Sequence, residues 1–218
     1  MRTVPLAAAG AEAAPPAFRL YGSPISGNSY KPALMLALCG QRYEFVPIDV
    51  EGGATRTDAY RAINRFQEIP VLEQGAQRIV QSGVILTYLA EQFDRFGHLN
   101  EAERWAIQEW LAWDTHRMTT GPALLHHQIR FVAGTDPAVL VFLRGRAERA
   151  LGQLSAGLAK TGWLVGDRPT IADIATCAYA FCLDEAGLDA TLWPAIPAWL
   201  DRIRDLPGFA PAGTLMMV

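Results

Sequence analysis

NRFQEIPVLEQGAQRIVQSGVILTYLAEQF, residues 64–93, packs a proline, two short apolar runs and an amphipathic helix with a polar start into one stretch. Proline has no backbone N–H, so Pro70 suits the first residue of a strand and not its middle. It also pushes Ile69 toward an extended conformation. If Pro70 turns the chain away from the sheet, the Ile69 N–H and C=O are left for another backbone, and a peptide-like ligand can pair there as an extra strand. Taken alone, Ile69-Pro70 still reads as an ordinary loop-to-strand junction with a trans peptide, because cis bonds are a minority even before proline.

The residues that follow change that balance. Val71-Leu72-Glu73 and Arg78-Ile79-Val80 form two strands joined through a Gln-Gly turn. Gln81-Ser82 comes next, and the apolar residues 85, 86, 89 and 93 have helical spacing. The pattern predicts Ser82 as the helix N-cap. Free N–H groups, a hydroxyl and the positive end of the helix dipole make that point a seat for a small carboxylate.

Together these residues resemble the glutathione-binding half of the soluble glutathione transferase family. The family pattern is Asn-Pro-x-Gly-x-Ile/Val-Pro-x-Leu, a hairpin, then Glu/Gln-Ser-x-x-Ile before a helix. Here it reads Asn64-Arg65-Phe66-Gln67-Glu68-Ile69-Pro70-Val71-Leu72, then Gln81-Ser82-Gly83-Val84-Ile85. The resemblance implies a cis Pro70, backbone pairing of Ile69 with the cysteinyl part of glutathione, and Gln81 and Ser82 holding its γ-glutamyl end. Arg65 and Gln67 depart from the common Pro and Gly. Glu68 puts a carboxylate near the place of the glycyl carboxylate, which it repels unless paired or turned away.

Length and composition bound the remainder. A chain of 218 residues, half of them hydrophobic, is enough for one large or two small domains with a substantial core. A net charge of −3 offers no basic excess for phosphates, so neither a nucleic-acid nor a membrane-surface partner is expected. Cys39, Cys177 and Cys182 form no Cys-x-x-Cys pair and leave a thiol over, which fits a reducing, cytoplasmic setting. His126 and His127 are neighbours that do not share a helix face, and His98 and His116 are isolated, so no metal site is expected. Residues 1–17, rich in Ala and Pro, read as a flexible leader and not a signal peptide. No apolar run reaches membrane-spanning length.

From residue 18 to 93 the element order is β-α-β-α-β-β-α, a small α/β unit. It is also the thioredoxin-like arrangement of the transferase family. Phe18–Tyr21 is the first strand, and a helix is expected over residues 29–39 with Pro32 in its first turn. Tyr43–Ile48 is the second strand, and Thr57-Asp58 starts a short helix ending at Asn64. Residues 94–98 form a polar linker, and residues 99–218 read as an all-helical domain. Trp105, Trp110 and Trp113 share helical spacing and are expected in the core, while His116, Met118 and Phe131 are candidates for an apolar second site. Gly121-Pro122 is expected to kink or break this helix. Asp136-Pro137 starts a helix to Leu158. Thr170-Ile171-Ala172-Asp173 has capping-box form, with Asp in place of Glu, ahead of a buried helix reaching Cys182. A final helix spans residues 196–206, opened by Pro197.

Chemistry is expected in the loop before the first helix. A free thiol has a pKa of about 8.5 and is mostly protonated at neutral pH, so a hydroxyl or amide donor beside a helix N-terminus favours its anion. Ser26, Asn28 and Ser29 all sit there. Family members place a Tyr, Ser or Cys in this loop, some a Thr or Ser with an Asn two residues on. Ser26-Gly27-Asn28 resembles that last group, which implies Ser26 as thiolate stabiliser assisted by Asn28. Ser29 is expected to act as a cap, and Tyr21 is the alternative donor. The resemblance implies transfer of the glutathione thiolate, glutathione being the co-substrate, to a small electrophile, by a homodimer without metal. Reduction of glutathione mixed disulfides or peroxides, or a binding module without catalysis, are the alternatives.

Overall fold

The computed structural model describes residues 17–217, so the expected leader lies, except for Ala17, outside the described residues. Four strands form one mixed sheet in the order β2-β1-β3-β4. The strands are β1 (Phe18–Gly22), β2 (Tyr43–Pro47), β3 (Val71–Gln74) and β4 (Gln77–Val80). β1 runs parallel to β2, with Leu20 opposite Phe45, and antiparallel to β3, with Leu20 opposite Leu72. The parallel pair needs a crossover, which α1 (Gly27–Leu38) supplies, whereas β3 and β4 close through a tight turn at Gly75, where φ is +58°.

Alternation along β1 sends Phe18 and Leu20 into the core beneath α1 and α3 (Ser82–Phe93). Leu34, Met35, Leu36, Leu72, Ile85, Leu86 and Leu89 complete that layer and are fully enclosed. Each such side chain contributes about 1.5–3 kcal/mol through burial. At the hairpin, Glu73 lies opposite Arg78 and binds both Arg78, at 2.8 Å, and Arg19, at 3.2 Å.

A short helix, α2 (Asp58–Arg61), is capped by Thr57, whose Oγ1 accepts the Tyr60 N–H at 3.2 Å. A single 3-10 turn, Ala54–Arg56, precedes it and was not predicted. The helical half comprises α4 (Glu101–Trp113), α5 (Leu124–Phe131), α6 (Pro137–Leu158), α7 (Ile171–Ala180), α8 (Ala195–Arg204) and α9 (Ala212–Leu215). The fold is thus a thioredoxin-like unit followed by a helical one.

Several expectations need correction. Gly121-Pro122 does not break the chain: a π-helical segment, Asp114–Ala123, carries α4 continuously into α5. The wider winding accommodates the proline, and Gly121 lets α6 approach, since a β-carbon there would lie 3.1 Å from the Ala147 nitrogen. α1 starts two residues early, which moves Pro32 out of its first turn and into the helix interior. Trp105 is exposed under the Arg104 guanidinium, while Trp110 and Trp113 pack edge to face against the core. Met118 is core and His116 is exposed, so of the three candidates for a second site only Phe131 reaches the cleft.

The capping box forms as read. Thr170 N–H donates to Asp173 Oδ2 at 2.9 Å, and the Thr170 hydroxyl oxygen accepts the Ala172 N–H. Asp173 Oδ1 also accepts from Leu164 N–H at 3.1 Å and from Trp199 Nε1–H at 2.9 Å, which ties α7 to α8.

Candidate active-site cleft

A cavity of about 1190 Å3 opens between the two halves. Ser26, Asn28, Ile69, Pro70, Gln81 and Ser82 all line it, so the fold brings together the six residues assigned to glutathione, while the alternatives Tyr21 and Ser29 lie outside its lining. Three backbone features place them.

The Ile69-Pro70 peptide is cis, and β3 begins only at Val71, so Ile69 stays outside the sheet ladder on the cavity wall. The loop before it is anchored by Asn64 Nδ2 and the Tyr60 hydroxyl, which both donate to the Glu68 carbonyl, at 2.7 and 3.0 Å. Gln67, where the family pattern has Gly, holds a left-handed φ of +56°.

Gln81, not Ser82, is the N-cap of α3; Ser82 is the first helical residue. Gln81 has φ +70°, a rare conformation for a residue with a β-carbon, and its side chain makes no cap bond. Its Nε2 donates instead to Glu68 Oε2 at 2.8 Å. The first N–H groups of α3 therefore meet the cavity without a side-chain cap, together with the Ser82 hydroxyl. The same bond gives Glu68 a neutral partner, which fixes the side chain but leaves its charge in place.

Ser26, not Ser29, caps α1. Its Oγ accepts the Ser29 N–H at 3.2 Å, which leaves the Ser26 O–H free to donate. Ser29 is buried inside the helix, where its Oγ accepts the Ser23 N–H, and Gly22 leaves room for it. The tight approach explains the shift: Ser29 is needed to hold the β1–α1 loop, and Ser26 takes over the cap. Tyr21 is turned elsewhere, its hydroxyl donating to Glu73 on the neighbouring strand β3, and burial with that carboxylate holds its pKa up.

The helical wall differs in character. Leu111, Ala112, Leu124 and Phe131 give it an apolar surface, and the π segment adds Thr115 and Thr119 from one face. Tyr179 of α7 also reaches the cavity. The sequence reading missed it because α7 otherwise looks like pure core. The one available signal was a phenol near the end of a helix made mostly of Ile and Ala.

A third cluster adjoins the cavity through His126. His126 Nε2, Cys182 Sγ and a Glu185 oxygen all lie within 4.8 Å of one another, a grouping that the adjacent-histidine argument could not foresee. Arg130 at 3.3 Å and His126 at 3.1 Å already share the Glu185 carboxylate, and burial beside it pushes the Cys182 thiol up to about 11. A neighbouring guanidinium and a protonated thiol both oppose a divalent ion.

Comparison with known proteins fits this geometry. Residues 20–99 match the N-terminal domain of glutathione S-transferase, and residues 123–207 match its C-terminal domain. A glutathione S-transferase crystal structure from Pseudomonas fluorescens superposes with a TM-score of 0.86 at 32% identity, covering 90% of this chain and 98% of that one. The chain belongs to the glutathione S-transferase family. Other members differ in activity. The disulfide-bond oxidoreductase YfcG of Escherichia coli is 27% identical over 88% of this chain and 93% of its own. A glutathione transferase homolog from Lodderomyces elongisporus, whose structure has two GSH per subunit, aligns at 26% identity and TM-score 0.78, covering 88% of this chain and 94% of its own. Among the transferase-fold features here, the uncapped α3 start and the free Ser26 hydroxyl face one cavity.

Proposed function

We propose that this family member conjugates glutathione to small electrophiles. The observation that carries the reading is the division of one cavity into a polar wall suited to a tripeptide and an apolar wall suited to a second molecule. On the polar side, the Ile69 backbone pairs with the cysteinyl residue and the α3 start with Gln81 and Ser82 holds the γ-glutamyl carboxylate. At the N-terminus of α1, the Ser26 O–H and the Asn28 amide donate to the sulfur and keep it anionic. The thiolate then attacks an electrophile resting on Leu111, Leu124 and Phe131, and the leaving group departs with its bonding electrons.

Ser26→Ala tests the assignment. Losing one hydrogen bond to a charged sulfur costs about 1.5–3 kcal/mol, roughly 10- to 150-fold in thiolate stabilisation. Glutathione should still bind by calorimetry while conjugation of a chlorinated dinitrobenzene at neutral pH falls by that range. Unchanged turnover would remove Ser26 from the chemistry.

Glutathione-dependent disulfide reduction is the second reading, favoured by the resemblance to YfcG and by the absence of any cysteine among the cavity-lining residues, which leaves glutathione as the thiol source. Faster turnover of a glutathione mixed disulfide than of the aryl halide would select it.

A further inference from the structure

Tyr179 enters the cleft from the helical half and meets α1 at its N-terminus. Gly27 makes this possible: a β-carbon at Gly27 would lie 2.5 Å from Tyr179 Cε1 and 2.8 Å from Cζ. The ring therefore rests on the first helical residue, and its oxygen lies one bond beyond Cζ. The Asn28 backbone N–H is near enough to that oxygen to favour its anion, but burial and the Asp114 carboxylate outweigh this and push the phenol's pKa up. On the ring face, Lys31 Nζ stands 5.4 Å from the centroid, held there by Asp114 Oδ2 at 2.5 Å. Both Lys31 and Asp114 are buried.

Two of these contacts act on the phenol in one sense, and the Asp114 carboxylate behind Lys31 opposes them. An N–H of the α1 first turn near its oxygen, and a cation against its ring, both withdraw charge from the O–H. A polarised hydroxyl is a stronger donor. Among the described residues no protein group accepts a hydrogen bond from it, although the residue lines the cavity beside Ser26 and Asn28.

We propose that the Tyr179 hydroxyl is a further catalytic hydrogen-bond donor to the glutathione sulfur, supplied across the cleft by the helical half. This rests on the glutathione reading above. With Ser26 and Asn28 it gives the sulfur donors from both halves, so the thiolate site is complete only when the halves are docked through Lys31 and Asp114.

Tyr179→Phe removes the hydroxyl and keeps the ring on Gly27. In the intact protein, the ionisation of bound glutathione is followed by its ultraviolet thiolate absorbance against pH, with calorimetric affinity and thermal melting alongside. The expected result is an unchanged melt, glutathione affinity within about threefold, and a titration midpoint raised by about one pH unit, a tenfold smaller thiolate fraction below the midpoint. Incorporating 3-fluorotyrosine at position 179 makes the hydroxyl a better donor and should move the midpoint the other way. A bound thiol that titrates alike in all three proteins would overturn the role of Tyr179 and leave the glutathione reading intact. Failure of the wild-type protein to bind glutathione would overturn both.

Discussion

Glu68 and Gln81 show how one pair of side chains tunes the polar wall. The Glu68 carboxylate is exposed to the cavity and held by a single amide, so it still repels a second carboxylate bound nearby. Glu68→Gln is expected to tighten glutathione binding, by about 0.5–1 kcal/mol or two- to fivefold, with the gain shrinking at high salt. Calorimetry at two ionic strengths checks this, and equal affinities would show that Glu68 is turned from the ligand. Lys31 and Asp114 make the opposite case, a pair enclosed in protein with Asp114 Oδ1 lacking any partner. Burial pushes the Asp114 carboxyl above its ordinary range against the pull of Lys31. Lys31→Met should cost about 3–5 kcal/mol by leaving that carboxyl unpaired, while Lys31→Met with Asp114→Leu should recover much of the loss. Urea unfolding of the three proteins decides it, and a double variant no better than the single would deny that the cost is electrostatic. Nothing in the local sequence marked this pair, because its partners come from α1 and from a π segment eighty-three positions later.

At the scale of elements, readings that depended on local backbone chemistry held. The capping box at Thr170, the Asp136 cap of α6, whose Oδ1 accepts the Ala138 N–H, and the apolar spacing of α3 are set by residues within one turn of each other. Readings that depended on distant packing did not. Ser82 loses the cap of α3 because Gln81 reaches across to Glu68, and the Gly121-Pro122 break is absorbed because α6 supports a π-helical stretch there. Asp173 shows both levels at once. Its cap bonds were legible, but its enclosure was not, and burial raises its carboxyl to about 6 despite four donated hydrogen bonds. The native state therefore binds this proton more tightly than the unfolded chain. Its contribution is full below the unfolded value near 4 and is lost as pH rises through about 6, a difference of about 3 kcal/mol. Asp173→Asn should be less stable at every pH, yet the gap to wild type should narrow as pH rises from 4 to 6. Unfolding midpoints measured across that window test the sign, and a constant gap would place the proton elsewhere.

The whole molecule leaves apolar side chains uncovered on both halves. Phe66 on the loop before β3 is 47% exposed, and Val141 and Phe142 on α6 are 72% and 60% exposed. Scattered apolar residues are ordinary on a surface, but adjacent bulky ones this exposed are less so. A two-fold axis would use such patches twice, setting the α/β half of one chain against the helical half of its partner in an isologous contact. Such a contact is the homodimer that the family resemblance implies, and it makes a specific demand. The protein should scatter light as twice its 23.8 kDa chain mass. Val141→Asp with Phe142→Asp, or Phe66→Asp alone, should each give the single-chain mass, since a buried unpaired carboxylate costs several kcal/mol per copy and enters twice by symmetry. The substituted residues are exposed in the single chain, so its melting in dilute solution should barely change. Variants that keep the wild-type mass would move the interface to another face, and a wild-type protein already at single-chain mass would refute the two-fold contact.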